Sequence, residues 1–233
     1  MVRILSIITL FIGIAFNAAA QATDLQTDLS LKYLVRLSPS ATPSPVIILL
    51  HGYGSNEQDL FELRKYFPSK YLVISARAPY PAGQGYQWFD LGKGDSNNPE
   101  VENSRKLILK FISEITHKYT ANKNQVYLIG FSQGAMMCYE AGLTSPETIK
   151  GIGVLSGRLF PTLQEKLIVT PALKNLKIFI SHGTADNRIP FTEGKSSSEN
   201  LIKLGLKPEF HEYNGMGHSI NDQVMTDLGG WLK

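Results

Sequence analysis

The chain reads as an α/β fold, a single domain with a mostly parallel sheet, helices on both faces and no large cap domain. Three observations lead there. Short apolar, β-branched runs recur along the sequence and alternate with amphipathic or polar stretches, the pattern of strands joined by helical crossovers. The strongest runs are continuously apolar, as strands covered on both faces must be. The length of 233 residues, with 43% hydrophobic and 18% charged residues, suits one globular domain with a sizeable core.

Taken in order, the chain starts with Arg3, an almost wholly apolar stretch over 4–16 and Ala18-Ala19-Ala20. That is the layout of a secretory signal peptide, with small residues at the cleavage point. Cleavage is expected after Ala20, or alternatively after Ala22, which leaves 21–233 as the single catalytic-sized domain and sends it to the periplasm or the medium. The apolar stretch falls short of the about 20 residues that a membrane span needs, so no stable membrane anchor is expected once it is removed. The next segment, 31–37, alternates and predicts an antiparallel strand at the start of the sheet. Runs at 46–50, 71–75, 126–131, 151–155 and 177–181 predict buried strands. The run 209–213 alternates polar with aromatic residues and predicts a strand nearer an edge. Helices are expected over 100–119, where Ile108, Phe111, Ile112, Ile115 and Tyr119 share a face, and over 135–143, 197–204 and 221–232. Only a short stretch separates Gly157 from Lys177, too short for a cap domain.

Sheets of this kind carry their chemistry in the loops at the carboxyl ends of the strands. The run ending at Phe131 is followed by Ser132-Gln133-Gly134 and a helix. This makes Gly130-Phe131-Ser132-Gln133-Gly134 a Gly-x-Ser-x-Gly strand–turn–helix elbow, which exposes a serine Oγ beside a helix N-terminus. A helix-capping serine is the plainer alternative. After Leu50 comes His51-Gly52-Tyr53-Gly54, a turn able to aim a backbone N–H at the serine. The candidate oxyanion donors are therefore the N–H groups of Tyr53 and Gln133, with His51 a structural residue of the loop. After Ser181 comes His182-Gly183-Thr184-Ala185-Asp186, and after the last strand Gly215-Met216-Gly217-His218. Ser132, Asp186 and His218 fall in the chain order nucleophile, acid, base. An Asp can hold the imidazole in one tautomer and stabilise its charged form. His182 is the competing base, but it sits close to its strand end. Cys138 is the one cysteine and has no pairing or metal-ligand partner pattern, so it reads as a buried thiol. His117 and His211 sit on helix and strand patterns and read as structural.

These segments together resemble the phospholipase/carboxylesterase family of α/β hydrolases, which includes the acyl-protein thioesterases. The matching pieces are Leu50-His51-Gly52-Tyr53-Gly54, Arg77-Ala78-Pro79, Trp88-Phe89-Asp90, Gly130-Phe131-Ser132-Gln133-Gly134-Ala135, His182-Gly183-Thr184-Ala185-Asp186 and Gly217-His218. They occur in the family's order over nearly all of the chain after residue 20. The resemblance implies a small, cap-less α/β hydrolase with Ser132 as nucleophile, Asp186 as acid and His218 as base. It would act on carboxyl esters, and often thioesters or lysophospholipids, without metal or cofactor. Trp88 falls in the family's segment beside the acyl pocket, which implies a substrate-binding role; a packed aromatic is the alternative. Tyr53 stands where the family often has a smaller residue, which should reshape the pocket mouth. Tyr80, Tyr86 and Phe89 are expected near the same opening.

The net charge of +3 is small and no dense Lys/Arg block is present, so nucleic acid is not an expected partner. The expected partner is a small-molecule ester, and nothing in the sequence specifies an oligomeric state. Two rivals remain at this level. One is a feruloyl- or acetylxylan-type polysaccharide esterase, or a peptidase, because scissile-bond choice lies in loop shape. The other is a catalytically silent binding protein on the same fold.

Overall fold

The computed structural model describes residues 24–233 apart from positions 41 and 94. The expected signal peptide and both of its cleavage points lie outside the described residues. Seven strands form the main sheet: β1 (Tyr33–Arg36), β2 (Ser44–Leu50), β3 (Leu72–Ala76), β6 (Ala121–Phe131), β7 (Gly151–Leu155), β8 (Lys177–Gly183) and β9 (Pro208–Tyr213). Their spatial order is β1-β3-β2-β6-β7-β8-β9. β1 pairs antiparallel with β3, and the other neighbours run parallel. Parallel neighbours need crossovers, and the helices α1 (Glu57–Phe61), α2 (Pro99–Lys118), α3 (Gln133–Thr144), α4 (Pro161–Lys166), α5 (Pro171–Lys174) and α6 (Phe191–Lys203) lie in them, while α7 (Asp222–Trp231) follows the last strand. A small antiparallel hairpin, β4 (Tyr80–Ala82) with β5 (Gly85–Gln87), lies apart from the main sheet.

The alternation of strand side chains sorts the core into two layers. On one face Val46, Ile48 and Leu50 of β2 and Leu128 of β6 pack with Ile108, Phe111 and Ile115 of α2, with α3 and with Leu201 of α6. On the other, Ile47, Leu49, Ile129 and Phe179 pack with Leu60 of α1 and with Val224, Leu228 and Trp231 of α7. The expected architecture is therefore the one observed, including the antiparallel first strand and β9 at the sheet's edge. Between β7 and β8 stand only the short α4 and α5, so no cap domain covers the carboxyl end of the sheet.

α6 differs from its expected extent. It begins at Phe191 and not at Ser197. Its first turn is polar and contains Gly194, which breaks the helical pattern in the sequence. The glycine is there for packing, because a Cβ at this position would overlap the imidazole of His182. Cys138 is fully buried within α3, and burial raises its pKa well above the usual thiol value.

Candidate active site

Ser132 is the single residue between β6 and α3, and its backbone is forced into φ 54°, ψ −113°. Left-handed φ is uncommon for a residue with a Cβ, and such strain persists only where the surroundings over-determine it. Here they do. The Ser132 N–H donates to Leu155 O at 2.9 Å, which ties the turn to β7. The elbow's two glycines let strand and helix close on each other. A Cβ on Gly130 would overlap the Gly134 backbone, and one on Gly134 would overlap the Leu50 carbonyl. Ser132 is left half-buried at the wall of a cavity of about 750 Å³.

The loop after β9 brings His218 to the same cavity. Its Nδ1–H donates to Asp186 Oδ2 at 2.7 Å, and its ring packs against Phe131 with centroids 4.8 Å apart. That leaves Nε2 as the nitrogen free to take a proton. Asp186 is buried in the loop after β8, and its Oδ1 accepts the N–H groups of Arg188 at 2.9 Å and Ile189 at 3.0 Å. Burial alone would raise the carboxyl pKa. The hydrogen bonds from His218 and those two amides outweigh it and hold Asp186 below the usual carboxylate value. Among the described residues Ser132 Oγ and His218 make no direct hydrogen bond. Such a contact is often loose until substrate is bound.

The competing base lies elsewhere. His182 is fully buried, and its Nε2 donates to Ile189 O at 2.9 Å, with Asp186 Oδ2 at 3.4 Å. It braces the loop that carries Asp186 and does not line the cavity. His211 packs on Phe179 and faces Asp227 at 3.9 Å, at the sheet edge.

The loop after β2 reaches the same cavity. Tyr53 lines the cavity and is 51% exposed at its mouth. Among the described residues no backbone carbonyl engages the N–H of Tyr53 or that of Gln133, the first residue of α3. His51 anchors this loop: it is fully buried, accepts the Ala78 N–H on Nε2 at 3.1 Å and donates from Nδ1 to Gly52 O at 2.7 Å. Burial is the main cause lowering its pKa, so the ring is held as the neutral Nδ1–H tautomer that both bonds require. A second brace comes from the hairpin. Tyr86 exchanges backbone bonds with the loop, accepting from Gly54 at 2.9 Å and donating to Ser55 O at 2.7 Å. Arg77 stacks on the Tyr86 ring at 4.5 Å and makes a bidentate pair with the buried Glu57 at 2.6 and 2.7 Å.

The structure corrects the reading of Trp88. It is fully buried and does not line the cavity. Its indole Nε1–H donates to His51 O at 2.9 Å, and its backbone N–H donates to Gln133 Oε1 at 2.8 Å. Gln133 Nε2 in turn donates to Phe89 O at 2.7 Å. A buried indole needs a partner for its N–H, and Trp88 finds it in the loop it supports, one layer behind the wall. Phe89 is buried against Phe160, and Tyr80 and Tyr86 also lie outside the lining. Residues that the sequence reading left aside take their place: Leu91, Met136, Ile189 and Pro190, with Arg158, Arg188, Glu193 and Asp59 adding charge. Apart from Met136, which lies within the expected helix over 135–143, they come from loops and short or early helical turns, where no periodicity marks them.

Comparison with known proteins agrees with this architecture. The family model described as phospholipase/carboxylesterase matches residues 32–233. A probable carboxylesterase, SOBER1-like, of Arabidopsis thaliana is 32% identical over 203 residues, covering 80% of this chain and 77% of its own. Acyl-protein thioesterase 1 of Debaryomyces hansenii is 28% identical, covering 85% of this chain and 94% of its own. Among solved structures, esterase PE8 superposes with a TM-score of 0.75 at 26% identity, covering 87% of this chain and 97% of its own. With an open α/β site and a match running from β1 to the last residue, this chain belongs to the phospholipase/carboxylesterase family of carboxylic ester hydrolases.

Proposed function

We propose that this protein is a serine hydrolase that cleaves carboxylic esters of small acyl or aryl groups through an acyl-enzyme on Ser132. One observation carries the reading: His218, held through Nδ1 by the buried Asp186 at 2.7 Å, shares a cavity with a serine on a strained strand–helix turn. In the first half-reaction His218 Nε2 takes the proton of Ser132 Oγ as the oxygen attacks the ester carbonyl. The N–H groups of Tyr53 and Gln133 hold the oxyanion, and the alcohol leaves with the proton from His218. In the second, His218 deprotonates a water that attacks the acyl-enzyme, releasing the acid and restoring Ser132. Asp186 keeps its charge throughout and stabilises the imidazolium. The open mouth beside Tyr53 and Leu91, both about half exposed, favours substrates reached from solvent over long acyl chains held in a closed tunnel.

A fluorophosphonate probe tests the nucleophile directly. A single covalent adduct, mapped by peptide mass spectrometry to Ser132, is expected; the absence of labelling would favour a silent binding protein. In the same reading the N-terminal stretch exports the enzyme, on the strength of its charge–apolar–small-residue pattern. N-terminal sequencing of protein recovered from the periplasm or medium should begin at Gln21, or at Thr23 for the alternative site. Protein that stays in the cytoplasm with its first residues intact would remove that part.

A further inference from the structure

We infer that the substrate carries a second, anionic group, a carboxylate or a phosphate, which Arg158 and Arg188 bind on the wall of the cavity. This deepens the Ser132 reading and rests on it. The two guanidinium-bearing residues come from successive loops, Arg158 after β7 and Arg188 after β8, and both line the cavity that holds Ser132 and His218.

The backbone that carries each is tied to the site's own framework. The Arg188 N–H is bound by Asp186 Oδ1 at 2.9 Å, the carboxylate that orients His218 through its other oxygen. The Arg158 loop is tied to α6 through Ser197. Its Oγ accepts the Leu159 N–H at 2.9 Å and donates to Glu193 O at 2.6 Å. The Arg158 guanidinium also sits 5.7 Å over the Phe160 ring. The cationic groups at this wall are loosely paired. Among the described residues Arg188 makes no ion pair, and the Arg158–Glu193 pair is 4.0 Å long, with both side chains partly exposed. The start of α6, at Pro190, reaches the same wall and has no side-chain cap, so its positive dipole end adds to the two cations.

The lining also contains two carboxylates. Asp59, in α1, already accepts the Ser55 hydroxyl at 2.8 Å. Glu193 is the direct competitor, because it occupies the first turn of α6 beside Arg158. An anionic substrate group displaces Glu193 from Arg158 and gains charge-assisted hydrogen bonds from guanidinium groups, whose planar fork matches carboxylate and phosphate oxygens.

The experiment compares matched ester pairs. One pair puts the charge on the acyl side: mono-p-nitrophenyl adipate against its neutral methyl ester. The other puts it on the alcohol side: monobutyryl glycerol phosphate against monobutyryl glycerol. In at least one pair the anionic member should have a kcat/KM higher by roughly tenfold or more, and the pair that responds identifies the side and the anion. In Arg158→Gln/Arg188→Gln that ratio should collapse towards one, and in Glu193→Gln it should rise. Ratios near one in both pairs for the native enzyme, or a preference that survives the double substitution, would overturn the proposal. Fluorophosphonate labelling of Ser132 separates the two levels. Labelled protein without a charge preference defeats only the anion clamp, whereas unlabelled protein that turns over none of the four esters defeats both.

Discussion

Ser132→Ala should lower kcat for p-nitrophenyl acetate by on the order of 10⁶-fold, the scale on which removal of an acyl-enzyme nucleophile acts. Its unfolding free energy in urea should stay within about 0.5 kcal/mol of the parent, because Oγ makes no hydrogen bond among the described residues that folding would lose. Ser132→Gly is the sharper partner experiment. It removes the same oxygen, so activity should fall equally. It also removes the Cβ from a backbone held at φ 54°, ψ −113°. Strain of this kind costs about 1–3 kcal/mol, and glycine's extra freedom in the unfolded chain takes back about 0.5–1. The glycine variant should therefore be the more stable of the two inactive proteins by about 1 kcal/mol in urea titration. Turnover retained by either variant would defeat the assignment of Ser132 as nucleophile. Equal stabilities would mean that the elbow is relaxed.

The elbow was legible because its constraints are local. Gly130 and Gly134 bracket one serine, and the apolar run before them is continuous, since β6 is covered on both faces. The same holds for β2, β7 and β8, whose apolar runs fall within a few residues of the strands. Features held by contacts distant in sequence were not legible. β4 and β5 are three residues each, with a proline and a glycine among them, and no alternation can emerge at that length. In the sequence Trp88 reads equally as a pocket residue or a packed aromatic, because an aromatic residue in that segment looks the same whether it faces a ligand or a neighbouring loop. What decides is a hydrogen bond from its indole to His51 O, 37 positions away. Arg158 and Arg188 sit in turns without pattern and line one cavity because β7 and β8 are adjacent in the sheet. The placing of Asp186 and His218 in the loops after β8 and β9 could be read from order and loop position. Their relation to His182 could not, because that needs the carbonyl of Ile189 and the space left by Gly194.

Removing Arg77 should be the most damaging single change outside the reacting groups. Glu57 has 3% of its side chain exposed, and Arg77 is its bidentate partner. Burial pushes the Glu57 carboxyl up, but the paired hydrogen bonds from Arg77, together with its charge, turn the net shift downward. Breaking a buried pair from one side leaves the other charge uncompensated, at a cost of about 3–5 kcal/mol, so Arg77→Met should lose that much stability at pH 7. The pH dependence identifies the cause. A carboxyl whose folded pKa is depressed contributes stability above its unfolded pKa and loses it as pH falls through the folded value. In Arg77→Met the burial is opposed chiefly by the backbone hydrogen bond to the Glu57 carboxylate, and the folded pKa rises. The penalty then applies at neutral pH and is relieved as Glu57 takes up a proton on acidification. The gap in urea unfolding free energy between parent and variant should accordingly narrow from pH 7 towards pH 4. A second substitution, Glu57→Gln, should recover part of the loss at pH 7, because a neutral amide needs no counter-ion. Activity should follow by a separate route. Arg77 stacks on Tyr86, and Tyr86 is bonded through its backbone to Gly54 and Ser55, so loosening it frees the turn that presents the Tyr53 N–H. A misplaced oxyanion donor lowers kcat by about 10²–10³-fold with little change in KM. A Glu57→Gln/Arg77→Met protein that regains stability but not kcat would show that Arg77 positions the turn as well as neutralising a charge. Full recovery of kcat with stability would limit Arg77 to the charge it balances.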